Sequence, residues 1–252
     1  MMTPAELKEL GVTLPPTQAE LPYDDGVPME SQRHKYQMDL LIDALLPWLE
    51  QRDDGFVGGN MFVYYSMAQV RRDFKGPDFF AALGVPKGER KSWVCWEEDK
   101  TPDVVIELLS DSTSEVDKGE KKLIYQNRMH VPEYFWYDPF NPQDFAGFRL
   151  QGSSYQAIAP DSQRRLVSET LELALMQWQG TYRGLEATWL RWEQLDGTTL
   201  LLTPEEVERQ RAVQAEAQIM QIARNLLQTG IASDQIAAMT GLTVTQVEEL
   251  RD

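Results

Sequence analysis

The sequence predicts an α+β domain followed by a helical C-terminal extension. Two stretches carry that prediction. In residues 102–139, positions 104–109 form a β-branched apolar run, the mark of a buried strand. A charged helical run through Lys121, Lys122 and Tyr125 follows, and then an aromatic strand over 133–137. The second stretch is Thr203-Pro204-Glu205-Glu206, a strong helix start that opens a run of Ala, Gln and Glu with few aromatics. The expected division is therefore residues 1–200 and 201–252.

The elements follow in order. Residues 1–26 are rich in Pro and acidic residues and read as a surface wrap, with Leu21-Pro-Tyr-Asp-Asp-Gly26 a turn. Ser31 stands as the N-cap of a helix whose apolar positions are Tyr36, Leu40, Leu41, Ala44 and Leu45. Pro47 predicts a bend or an end there. Residues 56–65 read as a strand interrupted at Gly58-Gly59, where a bulge or close backbone approach is expected. A short strand over 77–83 opens with Asp78, a basic loop spans 87–91, and 93–96 reads as another short strand. The strand at 103–110 leads through Asp111-Ser112-Thr113 into a helix over 116–128. Residues 145–150 and 155–158 form a hairpin through Gly152-Ser153-Ser154. Residues 171–178 and 181–190 fit helix or strand equally. In the tail, a helix over 204–228 stops at Gly230, and two short helices, 233–239 and 243–250, meet at Gly241.

Composition narrows the function. The 252 residues are 42% hydrophobic and 10% aromatic, enough for a core and against global disorder. Asp and Glu number 40 against 24 Lys and Arg, a net charge of −16. That excludes a general nucleic-acid coating protein, which needs clustered cations, but not an enzyme that meets DNA at one local basic rim. The single cysteine, Cys95, excludes an intrachain disulfide and a thiolate zinc site. His34 and His130 are too few for a histidine-rich metal cluster. Residues 1–11 lack the apolar stretch of a signal peptide, and no window approaches the ~18 apolar residues of a membrane span. A soluble, reducing, cytoplasmic setting is the expectation.

The chemistry centres on Glu107, a carboxylate inside an apolar strand. Burying its charge is costly unless a cation or several donors compensate. Asp78 opens an earlier strand, and adjacent strands of one sheet would bring the two carboxylates together. Oxygen ligands of this kind suit Mg²⁺ or Mn²⁺. Lys121 or Lys122, on the helix that follows, would orient or help deprotonate a water. Metal-assisted hydrolysis of a phosphodiester needs that set.

The same residues carry a family resemblance. Gly76-Pro77-Asp78, Pro102-Asp-Val-Val-Ile-Glu107-Leu-Leu-Ser110-Asp-Ser-Thr113, Asp117-Lys-Gly-Glu-Lys121, Tyr125 and Val131-Pro-Glu-Tyr134 resemble the Uma-two endonuclease family of the PD-(D/E)XK nuclease superfamily. The resemblance covers roughly residues 20 to 180. It implies a restriction-endonuclease-like mixed β-sheet flanked by helices, a divalent cation in the cleft, and DNA as substrate. It assigns Asp78 and Glu107 as metal carboxylates and the carbonyl of Leu108 as a further ligand. Leu109 occupies the lysine position of the superfamily's Glu-x-Lys spacing, and the resemblance moves that lysine to Lys121, which would share a helix face with Tyr125. It also implies an acidic residue near the first helix, for which Glu30 fits best and Asp24 competes.

Plainer readings stand beside these. Glu107 could form a buried ion pair with Arg71 or Lys121, and Lys122 could replace Lys121. His34 reads as a satisfied polar residue, Asp103 as the exposed first residue of its strand, and Tyr134 to Tyr137 as core. Residues 231–250 have helix-turn-helix rhythm, with Thr240-Gly-Leu-Thr243 at the turn. The second helix, however, sets Gln246 and Arg251 against Glu248, Glu249 and Asp252, which is wrong for a duplex. An association element, pairing two chains as a homodimer, is the expectation for the tail. A catalytically inactive binding or regulatory protein on the same fold is the alternative to an enzyme.

Overall fold

The computed structural model describes residue 7 and residues 10–12, 14–23, 31–70 and 72–251. It divides into two compact units, Met1–Leu201 and Leu202–Asp252. The first is a mixed α+β unit built on a six-stranded sheet.

Helix α1 (Gln32–Glu50) starts where the sequence expects it, with the Ser31 side chain accepting from the His34 N–H. Such a cap is worth about 1 kcal/mol. Pro47 lies inside the helix, which runs on to Glu50. The expected strand after it is interrupted at the two glycines: β1 is Asp54–Gly58 and β2 is Val63–Tyr64. Two more short strands, β3 (Phe74–Lys75) and β5 (Trp93–Val94), flank β2 in a small three-stranded sheet. Residues 93–96 are not all strand, because a helical turn, α2 (Cys95–Glu98), begins at the cysteine.

The main sheet has the order β1, β4 (Phe79–Pro86), β6 (Val104–Leu108), β7 (Glu133–Tyr137), β8 (Phe145–Gln151) and β9 (Ser154–Ala157). All neighbours are antiparallel except β6 and β7. A parallel pair needs a crossover. Here it is a helix α3, made of the consecutive segments Ser114–Val116, Asp117–Lys121, Lys122–Ile124 and Tyr125–Met129. The second and fourth segments are π-helical.

Alternation along β6 gives each face of the sheet its own core. Val104, Ile106 and Leu108 pack with Leu41, Ala44 and Leu45 of α1. Val105 packs on the other face with Phe80, Tyr134, and Tyr125 of α3. Residues left open between helix and strand prove to be strands: β11 (Leu173–Tyr182) pairs with both β12 (Leu185–Gln194) and β10 (Leu166–Ser168) in a second sheet. Gln37 of α1 ties to this sheet, donating to the Leu190 carbonyl (2.8 Å) and accepting from its N–H (2.9 Å).

The second unit holds α4 (Pro204–Gln228), α5 (Ser233–Thr240) and α6 (Val244–Glu249). Capping boxes at Thr203 and Thr243 start α4 and α6, and Gly241 ends α5 in the left-handed conformation that favours glycine. Ala223, Ile236 and Val247 form a small buried centre with Leu226, Leu227 and Leu250 around it. Among the described residues no helix is long and apolar enough to cross a membrane.

Candidate active site

Strand register brings the two predicted carboxylates together. Phe79 pairs with Ile106, and Phe80 with Val105, in antiparallel fashion. The same register carried one step further sets Asp78 opposite Glu107. Residues directly opposite point to the same face of a sheet. Asp78 Oδ2 accepts a 2.7 Å hydrogen bond from the N–H of Leu108, the residue after Glu107. Asp78 is half-buried, and its Oδ1 has no hydrogen-bond or ion-pair partner among the described residues.

Glu107 is 0% exposed. Its two oxygens have separate partners on α3: Tyr125 donates its hydroxyl to Oε1 at 2.6 Å, and Lys121 Nζ donates to Oε2 at 3.1 Å. Lys121 also lies 2.7 Å from Asp117 Oδ1, an ion pair one helical turn back. Asp117 is itself buried. Its π-helical stretch is pinned to the sheet by the Tyr134 hydroxyl, which donates to the Asp117 carbonyl at 2.8 Å. The site is thus an ammonium set between two buried carboxylates, with a third carboxylate, Asp78, at its open side.

The electrostatics follow from burial. Desolvation raises the Asp78 pKa well above its ordinary value, and the neighbouring Glu107 raises it further. Desolvation also raises Glu107, with Lys121 and Tyr125 opposing. Burial by itself would lower Lys121, but Glu107 and Asp117 outweigh it, and its pKa is raised. Tyr125 is raised well above its usual value by burial and by Glu107, so its hydroxyl stays a donor.

The structure separates the two lysines. Lys122 Nζ sits 3.3 Å from the Phe148 ring centroid and 5.5 Å from that of Trp136, away from Glu107. Asp103 accepts from the Leu83 N–H and pairs with Lys100 at 3.0 Å, outside the cluster. His34 is buried and satisfied, with Nδ1 2.8 Å from Ser31 Oγ and Nε2 2.9 Å from the Leu109 carbonyl oxygen. Tyr134, Phe135 and Tyr137 are buried core residues. Glu30, its competitor Asp24, and Arg71 lie outside the described residues. Asp117 and Tyr125 entered the sequence reading only as parts of a motif, and both are direct partners in the cluster. Their signal was the four-residue spacing Asp117, Lys121, Tyr125, which lines one helix face.

Oxygen donors of this kind are what a hard divalent cation takes, and Asp78, only half-buried as a residue, keeps Oδ1 without a partner among the described residues. The free oxygen of Asp78 is of the type Mg²⁺ or Mn²⁺ takes, whereas both Glu107 oxygens are engaged by Tyr125 and Lys121 and the described residues hold no three-ligand metal cluster. The ion pair of Lys121 with Glu107 is at the same time the buried pair that the plainer reading expected.

Known proteins resemble both units. The family model Uma2, described as "Putative restriction endonuclease", matches residues 7–179. A model described as "Rpn/YhgA-like nuclease family, C-terminal HTH domain" matches residues 216–252. That second match falls on the helix-turn-helix rhythm noted in the sequence. A solved structure from Anabaena variabilis ATCC 29413, titled a putative nuclease belonging to DUF820, is 16% identical. It covers 68% of this chain and 91% of its own, with a TM-score of 0.43. No curated protein matches the chain.

Proposed function

The chain belongs to the Uma2 family, whose model covers residues 7–179, and from that premise we propose that it is a divalent-cation-dependent endonuclease acting on DNA. The observation that carries the reading is the convergence of Asp78, Glu107 and Lys121, distant in sequence, on one end of two paired strands. Asp78 and Glu107 would hold the cation, with the Leu108 carbonyl as a further ligand. The chemistry supplied there by bound Mg²⁺ or Mn²⁺ is charge stabilisation on the scissile phosphate and a more acidic water.

The remaining work belongs to the chain. The Leu108 N–H fixes one oxygen of Asp78 and leaves the other free to ligate. Tyr125 holds Glu107 in one rotamer. Lys121 positions the attacking water and steadies negative charge developing on the phosphate. Asp117 keeps Lys121 in place and protonated. DNA as the substrate is supported by the family and by the tail's similarity to a helix-turn-helix domain of another nuclease family.

Purified protein is expected to nick or linearise plasmid with Mg²⁺ or Mn²⁺, and to lose that activity with EDTA. No cleavage with either cation, on plasmid or single-stranded DNA, would leave the inactive binding module. One observation favours that second reading: among the described residues no three His, Cys, Asp or Glu groups form a ready metal cluster. Association of two chains through the tail completes the proposal. Val213, Met220 and Ile222 are exposed apolar side chains of α4. Light scattering is expected to give twice the 28.9 kDa chain mass, and a chain ending at Leu201 to give one.

A further inference from the structure

We propose that Gly59 is a positioning residue for Asp78, setting the angle at which that carboxylate meets Glu107; the inference deepens the nuclease reading and rests on it. Gly59 follows the last residue of β1, and Gly58 before it is paired with Phe80 of β4. The next residue, Asn60, turns in the left-handed conformation at φ 50°. Its N–H donates to the Pro77 carbonyl at 2.9 Å. The chain therefore doubles back against the Pro77–Asp78 peptide, just before β4 begins.

The fit there leaves no room for a side chain. A Cβ at position 59 would lie 2.2 Å from the Asp78 carbonyl oxygen, and 3.0 Å from both Ile42 Cδ1 and Met38 Cγ of α1. The two side-chain ends can swing aside. The Asp78 carbonyl cannot do so cheaply, because Phe79 and Phe80, next along the chain, are held in register by β6 and β1. A methyl group at 59 therefore displaces the Asp78 peptide. Asp78 is gripped at two points, its main chain by the Gly59–Asn60 turn and its carboxylate by the Leu108 N–H. Moving the first alters the second. Gly59 brings no side chain to the core, so what it contributes is this approach to Asp78.

Gly59→Ala tests the idea, read first by the Leu108 amide in ¹H–¹⁵N spectra, with Asp78→Asn identifying the signal. That amide is expected to shift, affinity for Mn²⁺ alone to fall by calorimetry, and kcat to drop by roughly 100-fold with KM for DNA kept. A triple variant that adds Met38→Ala and Ile42→Ala relieves the side-chain clashes but not the one with Asp78. It is expected to stay impaired, and it carries the same test if the single variant does not fold. An unmoved Leu108 amide, or recovery in the triple variant, would overturn the proposal. If wild-type protein neither binds Mn²⁺ nor cleaves DNA, the nuclease reading fails, while the Leu108 shift still decides whether Gly59 places Asp78.

Discussion

Glu107→Gln is expected to lower Mg²⁺-supported DNA cleavage by about 100- to 1000-fold, the scale of removing one group aimed at transition-state charge, while the protein stays folded. Glutamine keeps the shape of the side chain, and its amide oxygen still accepts from Tyr125. Lys121 keeps Asp117 as its ion-pair partner at 2.7 Å. What is lost is the negative charge shared by the proposed cation site and Lys121. Initial rates of plasmid nicking at saturating Mg²⁺, with circular dichroism as the control for folding, read the result. Cleavage near the wild-type rate would remove Glu107 from the chemistry.

Lys121→Met is expected to cost about 3–5 kcal/mol of stability at neutral pH, the range for breaking a buried ion pair from one side. The lysine is 20% exposed and both carboxylates are nearly inaccessible, so solvent screening relieves little of that cost. The deficit depends on pH in a definite direction. Burial already raises Glu107 above its unfolded value, and Lys121 is the main group opposing the rise. Without Lys121 the folded state binds the Glu107 proton more tightly than the unfolded state does. A carboxylate raised in this way destabilises above its unfolded pKa, so stability falls as pH rises from the ordinary carboxylate range. The deficit is therefore largest in neutral and alkaline buffer and shrinks toward about pH 4, where the unfolded glutamate also takes a proton. Urea denaturation at several pH values measures it. A deficit that does not change with pH would mean that Lys121 acts through packing.

Part of this was legible from residue order and part was not. Glu107 was legible because a carboxylate within Val-Val-Ile-Glu-Leu-Leu has no cheap structural explanation. The Gly58-Gly59 interruption was legible because paired glycines rarely sit in a strand without a backbone reason. The strands β11 and β12 were not. In β12 both faces are covered: Leu190 and Trp192 pack in the core with α1, while Ala187 and Trp189 pack in a second cluster with Leu40 and Tyr182. Continuous burial removes the two-residue alternation that separates strand from helix. The turn Cys95–Glu98 was hidden by its aromatic neighbours, which read as strand. The π-helical segments of α3 have no residue signature, yet one of them carries Asp117 and Lys121. Asp117 entered only within the motif Asp117-Lys-Gly-Glu-Lys121 and was given no role, since only the tertiary fold buries it against Lys121.

The ammonium of Lys121 between Glu107 and Asp117 has a bearing on biosynthesis. A nascent chain that carries its own counter-charge can reach its native state in the absence of any mineral ion.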